Sequence, residues 1–258
     1  MSTPDSPQTP SSRDFPVEWY DSAPENHFWM IWRLEVILRH LRRLKINDRA
    51  ALKGFDVGCG HGAFQRQLHT MNSWTIDGCD LNEDAISRNH GHNGNSFLYN
   101  IFDLRQDLKG KYDFVFLLDV IEHVPKPVEF LAASRFYLKP GGFVIINVPA
   151  MPSTYSKYDI VAGHIRRYTK AGLSSEILAA GLEIESVTYW GLSLIPLVLL
   201  RKAAVVFTEP DEVIRRGFVP PSALIDKMLR QVMSAELAIA RDVPYGTSLL
   251  AVAREGSS

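Results

Sequence analysis

Between Phe55 and Phe64 the chain reads Phe-Asp-Val-Gly-Cys-Gly-His-Gly-Ala-Phe, with glycines at 58, 60 and 62. Alternate glycines let the backbone turn sharply and let a ligand come close where a Cβ would collide. The helix that must follow offers free N–H groups to an acidic or polar ligand. Gly58, Gly60 and Ala63 also fit the three small positions of a dinucleotide fingerprint, so the loop alone leaves the nucleotide open, and a plain tight turn is the simplest reading. Two carboxylates narrow it. Asp56 stands just before the glycines, where dinucleotide enzymes usually carry an apolar residue, and Asp80 ends the next apolar run, where a carboxylate can accept both hydroxyls of a ribose. Cys59 and Cys79 accompany this loop, but neither has the histidine and positive surroundings of a nucleophile.

A second group begins in Asp113-Phe-Val-Phe-Leu-Leu-Asp-Val-Ile-Glu-His-Val-Pro125 and is followed by Leu138-Lys-Pro-Gly-Gly142. Asp119, Glu122 and His123 could face a ligand or could cap and brace the following turn. A third group lies further on, where Pro149 to Asp159 leads into Gly163-His-Ile-Arg-Arg-Tyr-Thr169. His164 is the only histidine of that loop. With an ordinary pKa near 6.5 it could take a proton from a hydroxyl or an acidic carbon, or it could simply fasten the loop. Tyr155 and the run Arg166, Arg167, Tyr168 are candidate substrate contacts, since guanidinium forks grip carboxylates and phosphates. Surface pairing with Asp or Glu is an equal expectation for at least one of the two arginines. His90 and His92 sit in a polar turn without Cys or carboxylate partners, and no required metal is predicted.

These groups need elements to hold them. Strand-like runs are 54–57, 74–79, 96–99, 112–118, 143–148, 182–190 and 248–252. Helix-like stretches at 63–71, 83–90 and 128–138 lie between the earlier ones. Short strand–helix spacings, with strands apolar on both faces, signal a parallel sheet covered on both sides. Lys139-Pro-Gly-Gly142 predicts a turn before the fifth strand. From Glu25 to Ile46 apolar residues recur at three- and four-residue steps, an amphipathic helix with a basic end. The interval between the last two strands reads as two helices, about 192–207 and 221–240, acting as a cover, a dimer surface or both. A substrate loop leaving the carboxyl end of the fifth strand is where such sheets gather their contacts.

The chain has 258 residues, 46% hydrophobic and 22% charged, with a formal charge of −1. That composition excludes global disorder, and the neutral balance leaves no electrostatic footprint for nucleic acid. Two cysteines are too few for a disulfide scaffold and suit a reducing cytoplasm. Residues 1–14 are Ser-, Thr- and Pro-rich and read as a disordered leader, and 15–258 as one domain. Its parts are an N-terminal lid helix (15–50), a cofactor core (51–190), a helical cover (191–242) and a last strand with its tail (243–258). The apolar run from Trp190 to Leu200 is interrupted by Pro196 and is shorter than the roughly 18 residues a membrane span needs, so no integral membrane association is expected.

Taken in order, DVGCGHG, the acidic residue after the second strand, IEHV and LKPGG resemble the class I methyltransferases that use S-adenosyl-L-methionine. The resemblance covers about residues 25–190 and the final strand. It implies an α/β Rossmann-like seven-stranded sheet with helices on both faces and the last strand antiparallel. Gly58, Cys59, Gly60 and Gly62 would back the methionine part, with Asp56 beneath, while Asp80 would hold the ribose and Leu81 lie beside the adenine. After the third strand the family usually has an acidic residue for the adenine amino group. Here Asn100 stands in its place, with Ile101 and Phe102 available to pack on the ring. Leu118 and His123 would lie on the sulfonium side.

The opening Glu25–Arg33 is similar to that of methyltransferases of ubiquinone biosynthesis. By that likeness Arg33 would pair with the cofactor carboxylate, and Tyr20, His27 and Trp29 would line the pocket. The implied activity is methyl transfer to a small organic acceptor, aromatic or prenyl-like with an acidic group, at oxygen or carbon. A homodimer is a further possibility raised by the helical cover. A non-catalytic cofactor-binding scaffold and, less well supported, a nicotinamide oxidoreductase are the rival readings. A nucleic-acid methyltransferase would normally carry an Asn/Asp-Pro-Pro-aromatic motif where this chain has Leu118-Asp-Val-Ile121.

Overall fold

The computed structural model describes residues 25–45, 51–71, 74–209, 212–213, 222–239 and 243–256. Helix α1 (Phe28–Arg43) precedes strand β1 (Lys53–Val57), and α2 (Ala63–Met71) leads to β2 (Thr75–Asp80). Next come α3 (Glu83–Arg88), β3 (Ser96–Leu98) and β4 (Tyr112–Leu118), then α4 (Pro127–Arg135) and β5 (Leu138–Pro149). The chain continues through α5 (Lys157–Val161), α6 (Lys170–Ala179) and β6 (Leu182–Trp190). It ends with α7 (Ile195–Ala204), α8 (Ala223–Ile239) and β7 (Ser248–Glu255). The strands form one sheet in the order β3-β2-β1-β4-β5-β7-β6. Pairing is parallel from β3 to β5, while β7 runs antiparallel between β5 and β6.

The sheet is sandwiched because its strands are apolar on both faces. Successive side chains of a strand point to opposite sides, and β4 divides accordingly. Phe114, Phe116 and Leu118 join a layer with Trp32, Ile37, Phe64 and Leu68, whereas Val115 and Leu117 join one with Phe130, Leu131, Leu173 and Ile177. β7 does the same, with Leu250 and Val252 on the first side and Leu249, Ala251 and Ala253 on the second. Thus α1 and α2 cover one face, and α4 and α6 the other.

Several expectations change in detail. The turn expected at 139–142 lies within the span of β5: the β4–β5 register jumps from Tyr112–Leu138 to Phe114–Phe143, and Gly141 takes a left-handed φ of 75°. α4 stops at Arg135 rather than Leu138, because Leu138 already pairs with β4. The cover expected at 192–207 is a ten-residue helix between two 3-10 turns, with Pro196 in its first turn. α5 and α6 were not expected; Thr169 starts α6 by accepting the Gly172 N–H on its hydroxyl, a local cap that leaves no apolar period to read. The expected leader, residues 1–14, and Tyr20 lie outside the described residues.

Candidate active site

The glycine loop leaves the carboxyl end of β1, and its conformation explains its composition. Gly58, Gly60 and Gly62 all have positive φ, 75°, 53° and 84°. L-residues with a side chain rarely adopt that region. A Cβ on Gly58 would stand 2.7 Å from the Val120 side chain, and one on Gly62 2.1 Å from the Asn89 amide oxygen. The loop is tied to β2 by Gly58 and Cys59 N–H groups donating to the Cys79 carbonyl at 2.8 and 3.0 Å. Asn89 closes it from the far side, donating to the Gly60 carbonyl and to Gln65.

Asp80 sits at the end of β2 and accepts the Gly60 N–H and the Asn82 N–H, each at 2.9 Å. A carboxylate has about four acceptor positions, so two remain for the hydroxyls of a ribose. Burial raises the Asp80 carboxyl above its ordinary range, and the N–H groups of Asn82, Gly60 and Leu81 oppose that. Asp56 lies buried in β1 beneath the loop and is pushed up to about 7, chiefly by burial and secondarily by the Asp80 charge, with Arg33 acting against both. Cys59 is driven well above a normal thiol by burial and then by these carboxylates, which fits an inert, packing cysteine. The left-handed cradle and the free acceptor positions of Asp80 suit a nucleoside, so the residues present fit S-adenosyl-L-methionine.

At the carboxyl end of β4 a polar chain links four elements. Arg33, on α1, donates from Nη1 to Asp119 at 2.7 Å. Asn147 on β5 donates to the other Asp119 oxygen at 2.8 Å and accepts from Trp190 Nε1 on β6 at 3.0 Å. Asp119 adopts a left-handed φ of 61°, a strained state that tends to occur at functional sites. Arg33 therefore does not stand free as the sequence suggested. Its Nε is buried without a hydrogen-bond partner.

Beside this chain, next to Gly58 through Val120, lies a cluster assembled from two loops. His164 Nδ1 is 2.9 Å from Asp159 Oδ1, and its Nε2 is 4.0 Å from Glu122 Oε1. The His123 ring is 4.9 Å away, and its Nδ1 donates to the Gly163 carbonyl at 3.0 Å. Burial would raise Asp159, but the hydrogen bond from His164 and the Arg167 guanidinium hold it down at about 2. Asp159 is then an acceptor only, so Nδ1 donates to it, and Nε2 is the ring atom that faces Glu122. Glu122 is fully buried, neither oxygen receives a hydrogen bond, and burial followed by the Asp119 charge pushes it well above a normal carboxyl. His123 is lowered to about 4 by burial and by His164. Glu122, His123 and His164 each bring one ligand atom within 4.8 Å of the others, a mixed nitrogen and oxygen set able to hold a divalent cation. In the sequence only His90 and His92 suggested a metal question, and their turn offers no Cys or carboxylate partner.

The remaining candidates divide. Leu118 is buried at the end of β4, and Trp29 lies on the inner side of α1 with its ring 5.9 Å from Trp190 and beneath the Arg33 guanidinium. His27 is the cap of α1, accepting the Trp29 N–H, which accounts for its burial. Asn100 caps its own turn through Phe102 N–H. Ile101 is buried, with its carbonyl accepting from Tyr137. Phe102 packs edge-on to Phe130 and lines an open groove with Leu104 and Phe136. Tyr155 donates to the His164 carbonyl at 2.7 Å.

Two of the substrate candidates are turned inward. Arg167 is buried, with Nε donating to Asp159 and Nη1 to the Ala150 carbonyl and Thr154, and Tyr168 is buried and donates to the Ile121 carbonyl. Arg166 donates to the Pro125 carbonyl, with Glu176 3.8 Å away. The residues that sequence reasoning missed are Asp159, Glu122 as partner of His164, and Asn147.

The methyltransferase domain family matches residues 17–187. Among characterised relatives, the ubiquinone biosynthesis O-methyltransferase of Thiobacillus denitrificans is 30% identical over 156 residues, 57% of this chain and 64% of that protein. Its counterpart from Acinetobacter baumannii is 29% identical over 192 residues, 67% of this chain and 80% of that one. The fold is shared with a SAM-dependent methyltransferase from Archaeoglobus fulgidus, at a TM-score of 0.52 and 17% identity over 85% of this chain and 93% of that one. With the seven-stranded sheet, the glycine cradle and Asp80 in place, the chain belongs to the class I S-adenosylmethionine-dependent methyltransferases.

Proposed function

We propose that the protein transfers a methyl group to a hydroxyl oxygen of a small, largely apolar acceptor, with His164 as the proton-accepting group. The observation that carries this is the His164–Asp159 pair, with Nδ1 held by the Asp159 carboxylate, Nε2 turned away from it, and 13% of the side chain exposed. S-adenosyl-L-methionine, when bound, supplies a methyl group on a positively charged sulfur. A hydroxyl is a poor nucleophile until it loses its proton. His164 accepts that proton on Nε2 as the oxygen attacks, and Asp159 stabilises the resulting imidazolium while fixing the ring. The remaining task is alignment and exclusion of water, which α1 serves by lying over the face of the sheet.

That the relatives from Thiobacillus denitrificans and Acinetobacter baumannii are O-methyltransferases supports oxygen over nitrogen. Because Arg167 is buried in its contacts with Asp159, Ala150 and Thr154, an acidic group on the acceptor is not required by this reading. The cluster Glu122–His123–His164 supports a second device, a divalent cation that would lower the hydroxyl pKa directly.

The test is a mass-spectrometric screen of phenols, catechols and matched amines with S-adenosyl-L-methionine. Phenolic products are expected, and methylation of the amines alone would overturn the reading. His164→Ala is expected to lower kcat about 10²–10⁴-fold, the usual worth of a general base. Its affinity for S-adenosylhomocysteine should stay within a factor of about two, since 0.4 kcal/mol separates such values. Loss of activity on chelation, restored by a divalent ion, would assign the deprotonation to the cation.

A further inference from the structure

The helix α8 carries two apolar faces. Met233 is buried, and Leu229 and Leu237 pack with it against the core beside α1. On the other side Leu224, Ile225, Met228, Val232, Ala235 and Ile239 form an exposed stripe, with Ile239 83% and Leu224 69% exposed. From Ile225 onward the steps are three, four, three and four residues. That is the period of a seam which meets another helix, whereas a helix resting on one core needs a single stripe.

We propose that this stripe is the centre of a homodimer interface in which the α8 helices of two copies pack antiparallel about a two-fold axis near Val232. Three observations favour a second copy. The stripe is self-complementary: antiparallel pairing about Val232 lays Ile225 of one copy beside Ile239 of the other and Met228 beside Ala235, with the two Val232 side chains meeting at the axis. It is also electrostatically self-compatible. Asp226 and Arg230 pair with each other, and Glu236 is held by the N–H groups of residues 191–193. Only Lys227 is left fully exposed, to one side of the stripe. Finally, the apolar surface continues. α8 and α7 both pack on the 192–194 turn, and the outer side of α7 and its following turn presents Leu197, Leu200 and Phe207, the last 94% exposed.

A 17-residue helix offers a face about 25 Å long. A contiguous apolar patch of this kind, rimmed by polar residues, marks an interaction surface. A closed two-fold contact also leaves no open end for further chains.

The experiment is sedimentation velocity over a concentration series with the full-length wild type, Val232→Glu, Val232→Arg and an equimolar mixture of the two variants. The wild type is expected at twice the 29.1 kDa chain mass. Each variant alone should weaken self-association about a hundredfold, because like charges meet near the axis. The mixture should regain the dimer, since the same positions then carry opposite charges. Titration with S-adenosylhomocysteine checks that both variants remain folded. A wild type that stays monomeric at about 100 µM, or variants that dimerise as well as wild type, overturns the proposal. So does flotation of a monomeric wild type with phosphatidylglycerol vesicles, which would give the face to a bilayer instead.

Discussion

Asp80 has two duties at once: it fixes the glycine loop by accepting the Gly60 N–H, and it keeps acceptor positions for a ribose. Asp80→Ala is therefore expected to weaken S-adenosylhomocysteine binding by about 1–3 kcal/mol, the cost of stranding partnered polar groups. Calorimetric titration measures it, and an unchanged affinity would remove Asp80 from the site. Asp56 makes a different prediction. Its carboxyl is held near 7 in the fold against 3.8 ordinarily, because burial disfavours its charge. Between those values the folded protein holds a proton that the unfolded chain has released, so stability falls as pH rises and the loss is complete above 7. Asp56→Asn should accordingly gain melting temperature over wild type at about pH 8 and lose that advantage at about pH 4, at or below the ordinary carboxyl value. A pH-independent difference would show that burial of the charge is not what Asp56 carries. At this scale the sequence was legible where function is local. The glycines and Asp80 announce themselves within thirty residues. The partners of His164 do not, because Glu122 comes from another loop and nothing in the spacing of Asp159 distinguishes a brace for a histidine from a helix cap.

α1 is held to the face of the sheet by the Arg33–Asp119 ion pair as well as by its apolar side. Arg33→Met would leave Asp119 without its cation in a confined place, for which about 3–5 kcal/mol of destabilisation is the general expectation. Asp119 is still one-quarter exposed and keeps its bond from Asn147, so the lower end of that range applies. Urea unfolding of Arg33→Met, Asp119→Asn and the double variant tests the coupling. The double variant should cost less than the sum of the singles; strict additivity would mean that the two groups do not act together. Elements with strong apolar periods, such as α1 and β4, could be read from the chain. α6 could not, since Lys-Ala-Gly-Leu-Ser-Ser carries little amphipathic signal and its helix depends on Thr169 and on burial of Leu173 and Ile177 against the sheet. The outer stripe of α8 was read only as part of a helix, because a seam and a core face look alike until the structure shows which side is covered.

Over the whole molecule, protection should follow position in the sheet. β1, β4, β5 and β7 are central and nearly free of solvent, whereas β3 is a three-residue edge strand and α7 shows most of its surface. Hydrogen exchange followed by mass spectrometry should find the slowest amides in the four central strands, opening only with global unfolding, and β3 and α7 exchanging first. Equal protection of α7 and β4 in the monomeric Val232→Glu protein would contradict this. The strand order has one more consequence, for the chain as it is made. Ser248–Glu255 is made after both β5 and β6, yet it is the slat that joins them. Until it arrives, β5 and β6 cannot be neighbours, and each presents an unpaired edge. A nascent chain stalled before residue 248 is therefore a holdase client with two open hydrogen-bonding rails, however complete its cofactor half has become.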